Sequence, residues 1–117
     1  NYMENYVNSY DTMVRGLENL NSANTYLDED EYNRAGNYYL DAKQNFQEAQ
    51  EGFKSIEDSA PSNYKSTVIS FTCRNGKLVT LSEKSYQLTQ AIEDGNQEEA
   101  QQLNEEVQNI SLDSCSQ

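Results

Sequence analysis

The sequence predicts an all-α fold: an elongated, antiparallel, up-down bundle of four helices over about 2–24, 28–58, 62–94 and 97–113. Two observations carry this. Apolar residues recur at alternating spacings of 3 and 4 in nearly every segment, for example Tyr32, Ala35, Tyr39, Ala42, Phe46, Ala49, Phe53 and Ile56. Hydrophobic residues are only 35% of the chain and the mean hydropathy is −0.97, as suits long helices that bury a narrow stripe. At 117 residues the chain accommodates one core, hence a single domain over 1–117, read as the soluble part of a longer precursor.

The first helix is expected to bury Met3, Val7, Tyr10, Val14 and Leu17, a heptad seam that Tyr6, Met13 and Leu20 widen. The polar stretch Asn21 to Thr25 should end it. A new start follows in LDEDEY, where Asp28 and Glu31 have the spacing of a capping box and Leu27 and Tyr32 that of its hydrophobic staple. The four acids there suit a first helical turn. They do not suit a calcium loop, which would need Gly at Asn33 and Glu at Tyr39. The second helix ends at Ser59-Ala60-Pro61-Ser62.

The third segment contains TVISFTCRNGKLVTLS, where Asn75-Gly76 between β-prone runs invites a β-hairpin over 67–82. Paired across that turn, Cys73 faces Leu78, Phe71 faces Thr80 and Ile69 faces Ser82, so neither face is apolar on both strands. As a helix, Tyr64, Val68 and Phe71 continue to Leu78, Leu81, Leu88 and Ile92, with a kink or register shift expected near Gly76 because Asn75 interrupts the seam. Helix is the reading taken and the hairpin its alternative. Gly95 suits a left-handed helix end, Asn96 and Glu99 form a capping box, and Ala100, Leu103, Val107 and Ile110 give the fourth seam.

If helices three and four fold back at Gly95-Asn96, Cys73, 22 residues before that turn, lies beside Cys115, 20 beyond it. A Cys73–Cys115 disulfide is expected, and with it an extracytoplasmic location, secreted or anchored upstream of Asn1; two free thiols in a reducing cytosol are the alternative. The sequon Asn109-Ile110-Ser111 falls within the expected fourth helix, where chance explains it. The short fourth helix should leave the far end three-helical. There Tyr2, Met3, Tyr6, Phe53, Ile56, Tyr64 and Val68 are expected to be partly covered, forming either a smaller closed core or a Tyr-rich partner site.

The chemistry is mostly exclusion. The net charge of −12 repels nucleic acid and anionic lipid, and no apolar run is long enough for direct membrane insertion. There is no His, which removes the usual metal ligand and neutral-pH base; two cysteines make no zinc site; the five glycines are scattered and form no phosphate loop. No catalytic, cofactor-binding or metal residues are expected, and the chain is read as a non-enzyme. YYLDAKQNFQEA resembles the second helix of a tetratricopeptide repeat, with Tyr39, Ala42, Phe46 and Ala49 in its aromatic-Ala order. Glu29, Asp30 and Asn33 depart from the preceding helix of that motif, and no second copy follows at a period of about 34, so no peptide-binding role is carried over. The sequence favours a structural spacer or protein-interaction module, through a partner or self-association. The alternative is a sensory bundle holding a small molecule, with Asn75 as the polar seam residue to serve it.

Overall fold

A computed structural model describes residues 1–115. It is all-helical: α1 (Tyr2–Asp28), α2 (Tyr32–Ser55), α3 (Ser62–Glu93) and α4 (Gln97–Gln108), with a short 3-10 turn at Asp113–Cys115. The four helices form an elongated up-down bundle with extents of 50 × 24 × 17 Å. Each helix packs on its neighbour in sequence, α2 holds both α1 and α3, and among the described residues α4 touches α3 alone.

Helix α2 is central because of its alternating seam. Tyr39, Phe46 and Phe53 project as fully buried knobs, while Ala35, Ala42 and Ala49 let both neighbours approach. On the α1 side the approach is closest at two glycines. A Cβ on Gly16 would lie 2.6 Å from a Phe46 ring carbon, and one on Gly52 would lie 2.0 Å from the Ser9 Oγ. Helices α1 and α3 are held further apart by an aromatic layer: Phe53 stacks on Phe71 at 5.0 Å, and Tyr6 and Tyr10 meet Phe71 edge-on at 6.3 and 6.0 Å.

The boundary between α1 and α2 differs from the expected one. Helix α1 runs through Asn21–Thr25 to Asp28, so Asp28 closes a helix and the Asp28–Glu31 capping box does not form. Asp30, at φ 62°, takes the left-handed position instead. The Glu31 amide bonds the Tyr26 carbonyl at 2.9 Å and the Asp30 amide bonds that of Leu27 at 3.0 Å. This is a Schellman end, in which aspartate serves where glycine is usual. At the end of α3, beside this turn, Gly95 does the same at φ 75°, with Asn96 bonding Ala91 at 2.9 Å. The Asn96 side chain accepts from the Glu99 amide at 3.2 Å, the first half of the capping box; the Glu99 carboxylate accepts from the Asn96 side-chain Nδ2 at 3.0 Å rather than from its backbone amide, which bonds Ala91.

No strand occurs among the described residues, and 67–82 lies within α3, which runs unbroken past Gly76. The expected break is absent because Asn75 remains in the seam, wholly buried. Its Nδ2 donates to the Phe71 carbonyl one turn back at 2.8 Å and towards the Met13 Sδ at 3.3 Å. Thr72, Thr80 and Thr89 likewise donate to carbonyls four residues back, which satisfies hydroxyls that weaken an isolated helix. The phase drift has another cause. Val68, Asn75, Leu78 and Ser82 face inward, whereas Cys73, Lys77 and Lys84 form a second stripe towards α4 and the tail.

Helix α4 ends at Gln108, short of the expected 113, and the following segment carries Cys115 down α3 to Cys73, where the Cα atoms are 5.7 Å apart at disulfide-bonding distance. Lys77 Nζ donates to the Ser111 carbonyl at 2.8 Å and to the Ser114 hydroxyl. Lys84 pairs with Glu106 at 2.7 Å across α3 and α4, and Lys43 with Glu83 at 2.7 Å across α2 and α3. The Lys43 hydrogen bond holds the Glu83 carboxyl below its usual range against the opposing effect of burial.

Candidate functional site

The three-helical end contains most of the predicted patch, but divided. Phe53, Ile56 and Val68 are completely buried rather than partly covered, because Ala60 in the α2–α3 connection and the Phe71 layer close over them. Tyr2, Met3, Tyr6 and Tyr64 remain at the surface and line an open, mainly apolar pocket of about 190 Å³. Burial, then proximity to Tyr2, Tyr10 and Tyr64, raises the Tyr6 hydroxyl above its ordinary pKa.

A larger apolar surface continues from that pocket along α1, and the sequence reading assigned it to the interior. The inward face of α1 is Ser9, Met13, Gly16 and Ala23, with Tyr6 and Leu20 half-buried. The heptad seam faces outward: Met3 is 60% exposed, Val7 48%, Tyr10 43% and Leu17 43%, with Val14 between them half-buried. The physical reason is the α1–α2 contact. Ser9, Gly16 and Ala23 recur every seven residues and admit α2 closely, so the small face is drawn in and the bulky one is left out. That repeat of small residues was the signal available in the sequence.

Beside this face stand Glu4, Asp11 and Glu18, also seven apart and all exposed. None of the three forms an ion pair among the described residues. Arg15, four residues after Asp11 and three before Glu18, adjoins the row on the side away from the apolar face and forms no ion pair with it.

The opposite end of the bundle is polar and aromatic. Tyr26 stacks on Tyr38 at 5.5 Å, the Arg34 guanidinium lies 5.2 Å from the Tyr26 ring centre, and these residues border an open pocket of about 400 Å³ with Asn37 and Asp41. Nearby the Tyr39 hydroxyl donates to Asn24 Oδ1 at 2.5 Å, and burial, with the Asp28 charge second, pushes its pKa up to about 12. Among the described residues no three His, Cys, Asp or Glu side chains converge to hold a metal ion, and no helix is long and apolar enough to cross a membrane.

No family model, curated protein or solved structure matches the chain. The tetratricopeptide-like order of Tyr39, Ala42, Phe46 and Ala49 is accounted for locally, since all four are core residues of α2 between α1 and α3.

Proposed function

We propose that this chain is a non-catalytic, extracytoplasmic helical-bundle domain that acts as a protein-interaction module. The observation that supports this is the open heptad face of α1, from Met3 to Leu17, which ends in the Tyr-lined pocket at Tyr2, Tyr6 and Tyr64. A contiguous apolar surface on an otherwise strongly acidic, hydrophilic chain is what a protein contact requires. The paired cysteines suit an oxidising compartment. A small molecule held between helices has less support, because Asn75 is wholly buried among core side chains and its Nδ2 is already engaged by the Phe71 carbonyl and Met13 sulfur, which leaves only Oδ1 to offer.

The test is site-specific photo-cross-linking in cells that make the protein. A photoreactive side chain at Val7 should yield a discrete protein adduct that one at the exposed α4 position Gln101 does not. No adduct, or the same adducts from both sites, would refute the interaction reading. Thiol titration of unreduced, denatured protein tests the compartment separately: two free thiols would remove the case for export.

A further inference from the structure

We propose that the α1 face takes a basic amphipathic helix, whose apolar stripe lies along Met3, Val7, Tyr10, Val14 and Leu17 and whose Lys or Arg flank meets Glu4, Asp11 and Glu18. This rests on the interaction reading above and names its partner. The face spans about 21 Å at 1.5 Å per residue, or about four helical turns. Its spacing of 4, 3, 4 and 3 is the register a second helix presents, whereas a loop or sheet edge has no such repeat. At the Met3 end the pocket of about 190 Å³ has room for one large apolar side chain of the incoming helix.

Charge decides the partner's chemistry. The acids stand one residue beyond Met3, Tyr10 and Leu17, at the flanking position that selects partners in a two-helix seam. All three carboxylates are exposed and form no ion pair among the described residues, so with Arg15 as the one cationic side chain of α1 beside them they form a net negative row along one border of the face. A second copy of this chain fits poorly. In a two-fold antiparallel pairing the acidic row of one copy would face the same row of the other, with −12 on each chain adding long-range repulsion. Anionic lipid is disfavoured for the same reason.

Two fluorescein-labelled synthetic helices test this, identical in a Leu stripe of 3–4 spacing and flanked by either Lys or Glu. In anisotropy titrations of the full chain at low salt, three exposed pairs at about a factor of two each give about an eight-fold preference for the Lys-flanked helix. The preference should shrink as salt approaches 1 M. Glu4→Lys/Asp11→Lys/Glu18→Lys should invert it, and Val7→Ser/Leu17→Ser should remove binding of both peptides while the circular dichroism and melting temperature stay unchanged. Equal affinities, or binding that survives Val7→Ser/Leu17→Ser, overturn the proposal. If neither peptide binds but light scattering finds a dimer that Val7→Ser/Leu17→Ser dissolves, the occupant is a second copy; the basic helix is then wrong and the interaction reading stands. Lack of peptide binding together with no adduct at Val7 would remove both.

Discussion

The link between Cys73 and Cys115 holds the least secured part of the fold, and cutting it should have a large and localised effect. Helix α4 has 12 residues, at the lower limit for a helix to persist unaided in water, and it packs on α3 alone. The bond closes a loop with a sequence separation of 42, and the chain-entropy model assigns such a loop about 4 kcal/mol. For a 117-residue chain unfolding as one unit, this is roughly 15 °C in melting temperature. Calorimetry with and without dithiothreitol measures the shift. Hydrogen exchange locates it: on reduction the amides of Ala100 to Gln108 should exchange through local opening and lose most of their protection, while those of Ala42 to Phe53 in α2 stay protected, weakened only by the fall in global stability. Cys73→Ser/Cys115→Ser should match the reduced protein and ignore the reductant. If the reduced protein melts within about 3 °C of the oxidised one and α4 exchange is unchanged, the tail is held by Lys77, Glu106 and Leu103, and the reasoning from loop closure fails.

Three further outcomes follow from the core. Gly52→Val should destabilise by about 1–3 kcal/mol, because its side chain enters the space of Ser9, whereas Gly36→Ala, with Tyr86 at an ordinary 3.4 Å, should gain about 0.5–1 kcal/mol of helix propensity; urea melts compare the two. Asn75→Leu should stabilise by about 1–2 kcal/mol in the same melts, since Asn75 Oδ1 is buried without a partner; a loss would show that the site cannot accept the larger side chain or that Oδ1 is satisfied. Tyr39 sets the alkaline limit. Its folded pKa of about 12 exceeds the ordinary 10.0, so its contribution to stability is complete below pH 10 and is lost as pH rises through about 12. Phenolate absorbance should show Tyr39 ionising late or together with unfolding, and Tyr39→Phe should abolish that late step.

How far the sequence could be read depended on which residues carried each contact. The α2 seam was legible because Tyr39, Phe46 and Phe53 alternate with alanines and face inward without exception. The α3–α4 turn was legible because Gly95 and Asn96 act through their own backbone and side-chain bonds, independent of tertiary context. At the α1–α2 turn the same local logic failed. The Asp28–Glu31 box competed with a Schellman end centred on Asp30, and the extra turn of α1 also keeps Ala23 and Leu27 packed with Tyr39. For the candidate site, Tyr2, Met3, Tyr6 and Tyr64 were found at the surface as a patch, but Phe53, Ile56 and Val68 were not. Whether an apolar residue at a bundle end is covered depends on a connection such as Ala60 and on a neighbouring ring such as Phe71, neither of which periodicity along one helix reports.

The misplaced α1 seam is the most informative of these differences, because the same residues explain both the fold and the proposed contact. A helix with one bulky and one small heptad face has two ways to pack. The bulky face buries more apolar area, but the small face lets Phe46 sit against Gly16 and Ser9 against Gly52, so that the backbones come close along the whole interface. Once α2 supplies large knobs, its partner must supply holes, and Ser9, Gly16 and Ala23 are the only seven-residue row on α1 that does so. Met3, Val7 and Leu17, with the outer edges of Tyr10, which also meets Phe71, and of half-buried Val14, are then left over from the intramolecular core, and α4, engaged with α3 through Lys84, Lys77 and Cys115, does not reach them. Substituting this row should therefore separate binding from folding: Val7→Ser/Leu17→Ser removes an external contact at little cost to stability, whereas Gly16→Leu on the opposite face unfolds the α1–α2 pair.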